Sequence, residues 1–373
     1  MSKMNWSKRQ WKDVLSIVNG KNQKDVESDE GLYPIIGSGG TIGRAIKYLC
    51  EAGSTVVGRK GTINNPFFVD ERFWNVDTAF GIQPGKSLIP KFLFYFCKGY
   101  NFKKLDKSTT IPSLAKTDLL KIEMPVPSLE EQGKIVNRIE ELFSELDSAV
   151  DTLKKTKEQL AVYRQSVLKE AFAQFSHKEK IKDLSEFVTS GSRGWAQYYS
   201  DDGARFIRIT DLTRDRIVLK NDDIQYVALP DNVEGMRSRL KPNDILVSIT
   251  ADLGSIALIP KDIQEAYINQ HIALVRLSNP EIAKFTALYL KSDWGQKDLL
   301  KNKRGGGKMG LGLDDIRNTP IPVVSTDIAN KIVSQIESRL SACENIEKTV
   351  NDALIQADAM RQSILKKAFE GGL

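Results

Sequence analysis

At 373 residues the chain has room for two or three domains, each burying its own core. Its composition, 41% hydrophobic and 27% charged, is that of a globular protein. No apolar run reaches the roughly 18 residues of a membrane span, and the polar start MSKMNWSKRQWKDVL lacks a signal-peptide core, so a cytoplasmic location without a membrane partner is expected. Three scattered cysteines (Cys50, Cys97, Cys343) and two histidines (His177, His271) argue against a disulfide framework, a zinc centre and a histidine-based triad. The net charge of +6 is uneven: +7 over residues 1–127, −2 over 128–175, +2 over 176–324 and −1 over 325–373. A polyanion would meet the first and third segments first.

Residues 1–127 read as strands and turns with some helix. LYPIIGSGGTIG (32–43) is a short apolar run followed by a glycine-serine loop, STVVGRKGTI (54–63) reads as strand, basic turn and strand, and IPKFLFYFCKGY (89–100) reads as helix. Residues 128–175 hold no proline and a single glycine, Gly133. Their apolar positions follow a 4-3 spacing through Ile135, Ile139, Leu142, Leu146, Ala149, Leu153, Thr156, Leu160, Tyr163 and Val167, a heptad seam with one polar exception. Pro125-Val-Pro127 cannot continue a helix backwards, and Ser128 with Glu131 has capping-box spacing.

Residues 176–324 predict strands at 204–212, 244–259 and 269–277 and a helix at 280–302. Residues 325–373 repeat the heptad seam, after Pro320-Ile-Pro322 and a candidate cap at Ser325. The seam runs through Ile332, Ile336, Arg339, Cys343, Ile346, Val350, Ala353, Ala357, Met360 and Ile364. About 45 residues at 1.5 Å rise span roughly 68 Å, close to two turns of B-DNA at roughly 34–36 Å each.

The two helical segments are copies. Lys134-Ile135-Val136 recurs as Lys331-Ile332-Val333 and Arg164-Gln165-Ser166 as Arg361-Gln362-Ser363, both at an offset of 197. The globular segments echo more weakly: Lys12-Asp13-Val14 resembles Lys182-Asp183-Leu184, Gly61-Thr62-Ile63 resembles Gly254-Ser255-Ile256, and Asn75, Ala79 and Lys91-Phe92 align with Asn269, Ala273 and Lys284-Phe285. A duplication of globular part plus helix accounts for the order. The natural partner of each seam (Ile135, Ile139, Leu146, Leu153 and Leu160; Ile332, Ile336, Ile346, Val350 and Ile364) is its own repeat.

Several loops combine charge, hydroxyls and bare backbone amides, the groups that donate to phosphates, while arginine can also read guanine edges. In the first globular segment the candidates are Ser38-Gly39-Gly40-Thr41, Arg59-Lys60 with Thr62, and Ser108-Thr109. In the second they are Arg193 with Trp195, and Arg304, Gly306 and Lys308. Catalytic signatures fail. Gly37, Gly39 and Gly43 miss the dinucleotide spacing; Gly307-Lys308 is followed by Met309 and not by Ser or Thr; Asn65-Pro66-Phe67 lacks the second proline of an amino-methyltransferase element; and Pro230-Asp231 has no Glu-x-Lys before the second helix. No catalytic residue and no metal ligand is expected.

Two differing globular segments alternate with two similar helices. The first helix opens Pro125-Val-Pro127-Ser-Leu-Glu-Glu-Gln132, and both close on Arg-Gln-Ser-x-Leu-Lys-x-Ala-Phe, the chain stopping at Glu370-Gly-Gly-Leu373. This resembles the specificity subunit of type I restriction-modification enzymes over essentially the whole chain. In the second helix Glu130-Glu131-Gln132 becomes Asp327-Ile328-Ala329, a weaker opening.

The resemblance implies an α+β chain: two mixed α/β target-recognition domains, 1–127 and 176–324, separated by two long helices, 128–175 and 325–373, that form an antiparallel coiled coil with a pseudo-two-fold internal repeat. It implies a non-catalytic subunit reading a bipartite, asymmetric site on double-stranded DNA, with the helices setting the spacer. It further implies two modification (methyltransferase) subunits and restriction (translocase/nuclease) subunits as partners. No cofactor is expected on this chain; S-adenosylmethionine belongs to the modification subunit, and ATP and Mg to the restriction subunit. The competing expectation is a coiled-coil structural adaptor without a DNA role.

Overall fold

The computed structural model describes residues 6–230, 235–301, 303 and 309–372. The chain divides into two compact units, one of residues up to Leu153 with Asn351 onward, the other of Lys154–Val350. Each unit therefore joins one globular part to a segment of both long helices, Leu129–Phe172 and Thr326–Phe369, of 44 residues each.

In the first unit a four-stranded antiparallel sheet runs in the order Leu15–Asn19, Ala79–Pro84, Ser54–Gly58, Phe67–Val69. A three-stranded sheet packs Gly40–Ala45 on Tyr33–Gly37, which pairs in parallel with Trp74–Asn75. A two-stranded ladder joins Lys8–Gln10 to Glu123–Pro125. The strand Ser54–Gly58 is buried along its whole length, hence its unbroken small and β-branched run.

The second unit repeats this plan. Its four-stranded sheet has the order Ser185–Ser190, Ile272–Leu277, Ile245–Ser248, Ile256–Leu258, and Lys178–Lys180 pairs with Pro320–Pro322. In its second sheet Ala204–Ile207 pairs in parallel with Ala266–Ile268 and antiparallel with Tyr226–Val227, which also takes Tyr199–Ser200.

The repeat extends to single contacts. Gly20 and Gly191 both follow the first sheet strand, where a Cβ would lie 1.8 Å from the Val76 carbonyl oxygen and 1.9 Å from that of Ile268. Lys91 bonds Glu140 as Lys284 bonds Glu337. Phe92 meets Phe369 edge-on at 5.1 Å, as Phe285 meets Phe172 at 5.3 Å. These aromatic pairs seat each globular core on the C-terminal turns of a helix.

The helix Pro90–Gly99 matches its expected span. The expected helix over 280–302 is instead a 3-10 turn, Ala283–Lys291 and Asp293–Leu299. The break falls at Ser292, whose hydroxyl accepts from Gly295 N at 3.2 Å, while Gly295 crowds the Tyr289 carbonyl too closely for any Cβ. The expected strand 244–259 is two strands with a turn between them.

Both helix starts are capped as their serines suggest: Ser128 Oγ accepts from Glu131 N at 3.2 Å and Ser325 Oγ from Ile328 N at 3.5 Å. Glu131 turns its carboxylate to the Trp6 indole at 3.1 Å. Gln132 is wholly buried; its carboxamide accepts from Ile89 N at 2.8 Å and donates to the Ser87 and Pro127 carbonyls at 2.8 and 3.0 Å. It ties the helix start to the turn before Pro90–Gly99.

The helices pair antiparallel. In the second unit Arg164 bonds Glu347 at 2.6 Å while Arg339 bonds Glu170 at 2.8 Å, so one helix ascends as the other descends. In the first unit Arg361 reaches Asp147 and lies 5.6 Å over the Phe143 ring.

Of the seam residues, Ile135, Ile139, Leu160, Val167, Ile332, Ile336, Cys343, Val350 and Ala357 are buried; Leu142, Leu146, Leu153, Arg339 and Ile364 are half-buried. Ala149, Tyr163, Ile346 and Met360 depart from the expectation and are exposed, the last three at 41%, 47% and 54%. The C-terminal neighbours of those three, Arg164, Glu347 and Arg361, take the inward places. A straight helix of 3.6 residues per turn drifts against a 3.5-residue repeat, and here the seam slips by one position onto charged side chains.

Candidate nucleic-acid interface

In the first unit the three sequence-nominated loops come together. Ser38-Gly39 forms the two-residue turn between Tyr33–Gly37 and Gly40–Ala45, with Gly40 at φ +126°, open only to glycine. The turn Arg59–Thr62 leaves the end of Ser54–Gly58 beside it; a Cβ on Gly61 would lie 3.8 Å from Ser38 Oγ. The loop containing Ser108 and Thr109 joins through backbone bonds, Gly61 N to Pro112 O at 2.9 Å and Leu114 N to Arg59 O at 2.9 Å.

Asp106 organises that loop by accepting from the Ser108 hydroxyl at 2.6 Å and from the amides of Ser108 and Ser113 at 3.0 and 3.1 Å. The Ser108 hydroxyl, with those amides, holds the Asp106 carboxyl below the usual carboxylate range. Lys60, Thr41, Thr62, Ser108 and Thr109 are exposed and Arg59 and Ser38 half-exposed, so hydroxyls and cations crowd one end of the sheets. Arg59 is aimed by its backbone: its amide donates to Thr78 O at 2.7 Å, and its guanidinium reaches the Asp77 carbonyl at 3.4 Å and lies 5.9 Å over Phe80.

The second unit reuses this scaffold with different side chains. Ile249 N donates to His271 O and Leu311 N to Ile249 O, each at 2.9 Å, and Thr250 bridges Gly310 as Lys60 bridges Ser113. The place of the Arg59–Thr62 turn is thus held by Thr250–Gly254, which the glycine-led match of residues 61–63 with 254–256 already foreshadowed. The tight Ser38-Gly39 turn is replaced by the excursion 208–225 between Ala204–Ile207 and Tyr226–Val227.

Of the sequence-nominated residues, Arg193 is exposed beside a cleft of about 470 Å³ lined by Ser192, Arg193, Gln197, Arg237 and Gln270. Trp195 is placed differently from a base-stacking side chain. It is 3% exposed, its faces covered by Phe206 at 5.7 Å and Tyr267 at 5.2 Å, so it is core and supports the Arg193 turn. Arg304, Gly306 and Lys308 lie outside the described residues. Sequence reasoning missed Gln270, His271, Thr250 and Arg237, which carry no motif of their own.

Among the described residues no group of three or more His, Cys, Asp or Glu is arranged to hold a metal ion, and no helix is long and apolar enough to cross a membrane. Burial pushes the Cys50 thiol up to about 12 and that of Cys97 further, so neither is a nucleophile near neutral pH.

The model of the type I restriction modification DNA specificity domain matches residues 3–161 and again 179–356. The chain belongs to that family. The family's two matches fall on the two globular-plus-helix repeats. Among its relatives is the specificity subunit of the type I restriction enzyme EcoBI of Escherichia coli, 26% identical over 316 residues, covering 76% of this chain and 65% of the relative. The chain thus spans slightly less than two thirds of that protein. Two solved structures share the fold across 99% of this chain at 15% identity. One is from work on complex assembly and conformational transition of the type I R-M system (TM-score 0.73, 99% of that chain); the other is the HsdS subunit from Thermoanaerobacter tengcongensis (TM-score 0.53, 98% of that chain).

Proposed function

We propose that this chain is the non-catalytic DNA-reading subunit of a type I restriction-modification complex, each globular part reading one half of a split site on double-stranded DNA. The observation that carries the reading is the convergence of Ser38–Thr41, Arg59–Thr62 and Ser108–Thr109 at one sheet end, with Thr250–Gly254 at the corresponding sheet end of the other repeat. Family membership supports the same reading. Backbone amides and hydroxyls there suit phosphates, and Arg59 and Lys60 supply the charge. The +7 of residues 1–127 suits phosphate attraction in the first half-site. In this reading Arg193 of the second half serves as Arg59 does in the first, Trp195 positions it, and Arg304, Gly306 and Lys308 extend the contact.

The partners in this reading are two modification subunits, which carry S-adenosylmethionine, and restriction subunits, which use ATP and Mg. The cell compartment is the cytoplasm. The paired helices serve as the spacer between half-sites and as the platform for the modification subunits.

Replacing Arg59 and Lys60 together with alanine tests the reading. At matched salt, DNA affinity falls roughly 10-fold or more and the salt dependence flattens by about two charges. Affinity unchanged at every salt concentration favours the structural adaptor.

A further inference from the structure

The bend after the buried Asn269 carries Gln270 and His271, and their side chains form a continuous hydrogen-bonded chain. His271 Nδ1 lies 2.6 Å from Thr250 Oγ1, and His271 Nε2 lies 3.0 Å from Gln270 Nε2. An amide nitrogen can only donate, so the Nε2 of the ring accepts and its proton sits on Nδ1, given to the Thr250 hydroxyl. The ring is fixed in turn by its backbone, since His271 N donates to Asn269 Oδ1 at 3.1 Å and Asn269 N to Ile207 O at 3.1 Å. One N–H of Gln270 is thereby committed. Its carboxamide oxygen and second N–H have no hydrogen-bond partner among the described residues, and the side chain lines the 470 Å³ cleft. That cleft is polar and unsaturated: Arg193 is exposed, and the buried Ser192 Oγ has no hydrogen-bond partner among the described residues.

We propose that Gln270 reads an adenine edge in the half-site of the second globular part, with His271 and Thr250 as positioning residues. The inference rests on the DNA-reading function proposed above. The oxygen and an N–H of one carboxamide match the N6 donor and N7 acceptor that adenine shows in the major groove. A free glutamine would lose rotamer entropy on binding; one already held by a histidine loses less. In the first repeat Thr78 O accepts from Arg59 N as His271 O accepts from Ile249 N, so the corresponding positions are Asp77 and Thr78, and the Asp77 carbonyl there meets the Arg59 guanidinium. The two halves therefore present different side chains at one backbone position, as two different half-sites require.

The test is selection of bound duplexes from a randomised library by the full chain with its modification subunits. It is run for the native protein, Gln270→Ala, Gln270→Glu and His271→Ala. The native protein should select a two-part motif with adenine at one position that Gln270 governs. Gln270→Ala should cut the preference there about 10-fold or more while the other half keeps its motif. Gln270→Glu should turn the same position against adenine, because a carboxylate cannot donate to N7. His271→Ala should relax that position alone and by less. A native protein that selects no motif overturns the DNA-reading function itself. A native motif left unchanged by both Gln270 variants overturns this proposal alone, and so does an equal loss at all positions in both, which would make Gln270 a folding residue.

Discussion

The two halves share a skeleton and differ in how their surface is tied to the helices. In the first, the strands Tyr33–Gly37 and Gly40–Ala45 meet in a two-residue turn. In the second, the counterpart excursion over 208–225 folds back onto them. Arg216 bonds Glu347 at 2.7 Å, sharing that carboxylate with Arg164, and Lys291 donates to the Thr213 carbonyl at 3.5 Å and to that of Arg214. Among the described residues the same corner of the first half holds Lys98 and Arg361 without such a strap; burial first, then Arg361, lowers the Lys98 pKa. The Gln132 tie has the opposite asymmetry, since the second helix has the buried Ala329 in that place. The glycines that press on backbone, Gly20 and Gly191, stay alike, whereas the turns and the ties to the helices diverge.

The largest expected effect tests the shared skeleton. Gly20→Ala and Gly191→Ala each push a methyl into a carbonyl oxygen under 2 Å away, and each should cost on the order of 3 kcal/mol or more. Urea unfolding followed by hydrogen exchange in each half would show it. Tolerance of either alanine would break the equivalence of the two turns.

Next comes the tie found in one half only. Gln132→Ala leaves the Ile89 amide and two carbonyls unpaired in a buried place, a loss of about 2–3 kcal/mol. Ala329→Gln in the other half should also destabilise, by about 1–3 kcal/mol, because the site is already filled. A stabilised Ala329→Gln variant would mean that the second half retains room for the same tie.

The third prediction is a pH dependence carried by Lys291 of the second half. Burial pushes Lys291 down to about 8, against a usual lysine value of 10.5. Between those values the unfolded chain holds a proton that the folded chain lacks, so this group makes stability rise with pH across that window. Lys291→Met removes the dependence. The native protein should gain on the variant by up to about 3 kcal/mol between pH 8 and 10.5, read as the difference in unfolding free energy. A constant difference would mean that the lysine stays charged against the carbonyls of the strap.

Glu347 responds at the other end of the pH scale. The hydrogen bond from Arg164, ahead of the charges of Arg164 and Arg216, holds its carboxyl below the usual glutamate range. A lowered carboxylate pKa gives stability that is present above the usual glutamate value and lost as pH falls through the folded one. Glu347→Gln should be less stable than the native protein at neutral pH by about 1–3 kcal/mol, and the gap should close in acid, checked by acid unfolding curves. A gap that persists in acid would assign the loss to packing and not to charge.

The one-dimensional pattern by itself determined the two long helices, their proline-delimited starts, their serine caps and the duplication, because a heptad seam and a constant offset of 197 are properties of spacing alone. It also placed the loops of the first half, where glycine, hydroxyl and basic residues lie next to one another in the chain. Only the tertiary structure could gather Ser38, Arg59 and Ser108 at one sheet end, since backbone bonds between distant segments leave no periodic trace. Only it could show Trp195 as core, for an indole beside an arginine reads the same whether its faces meet a base or Phe206 and Tyr267. Burial also decided that Arg164 and Glu347, and not Tyr163 and Ile346, face inward. That outcome turns on helical drift and on an opposite charge arriving from another part of the chain, neither of which residue spacing records.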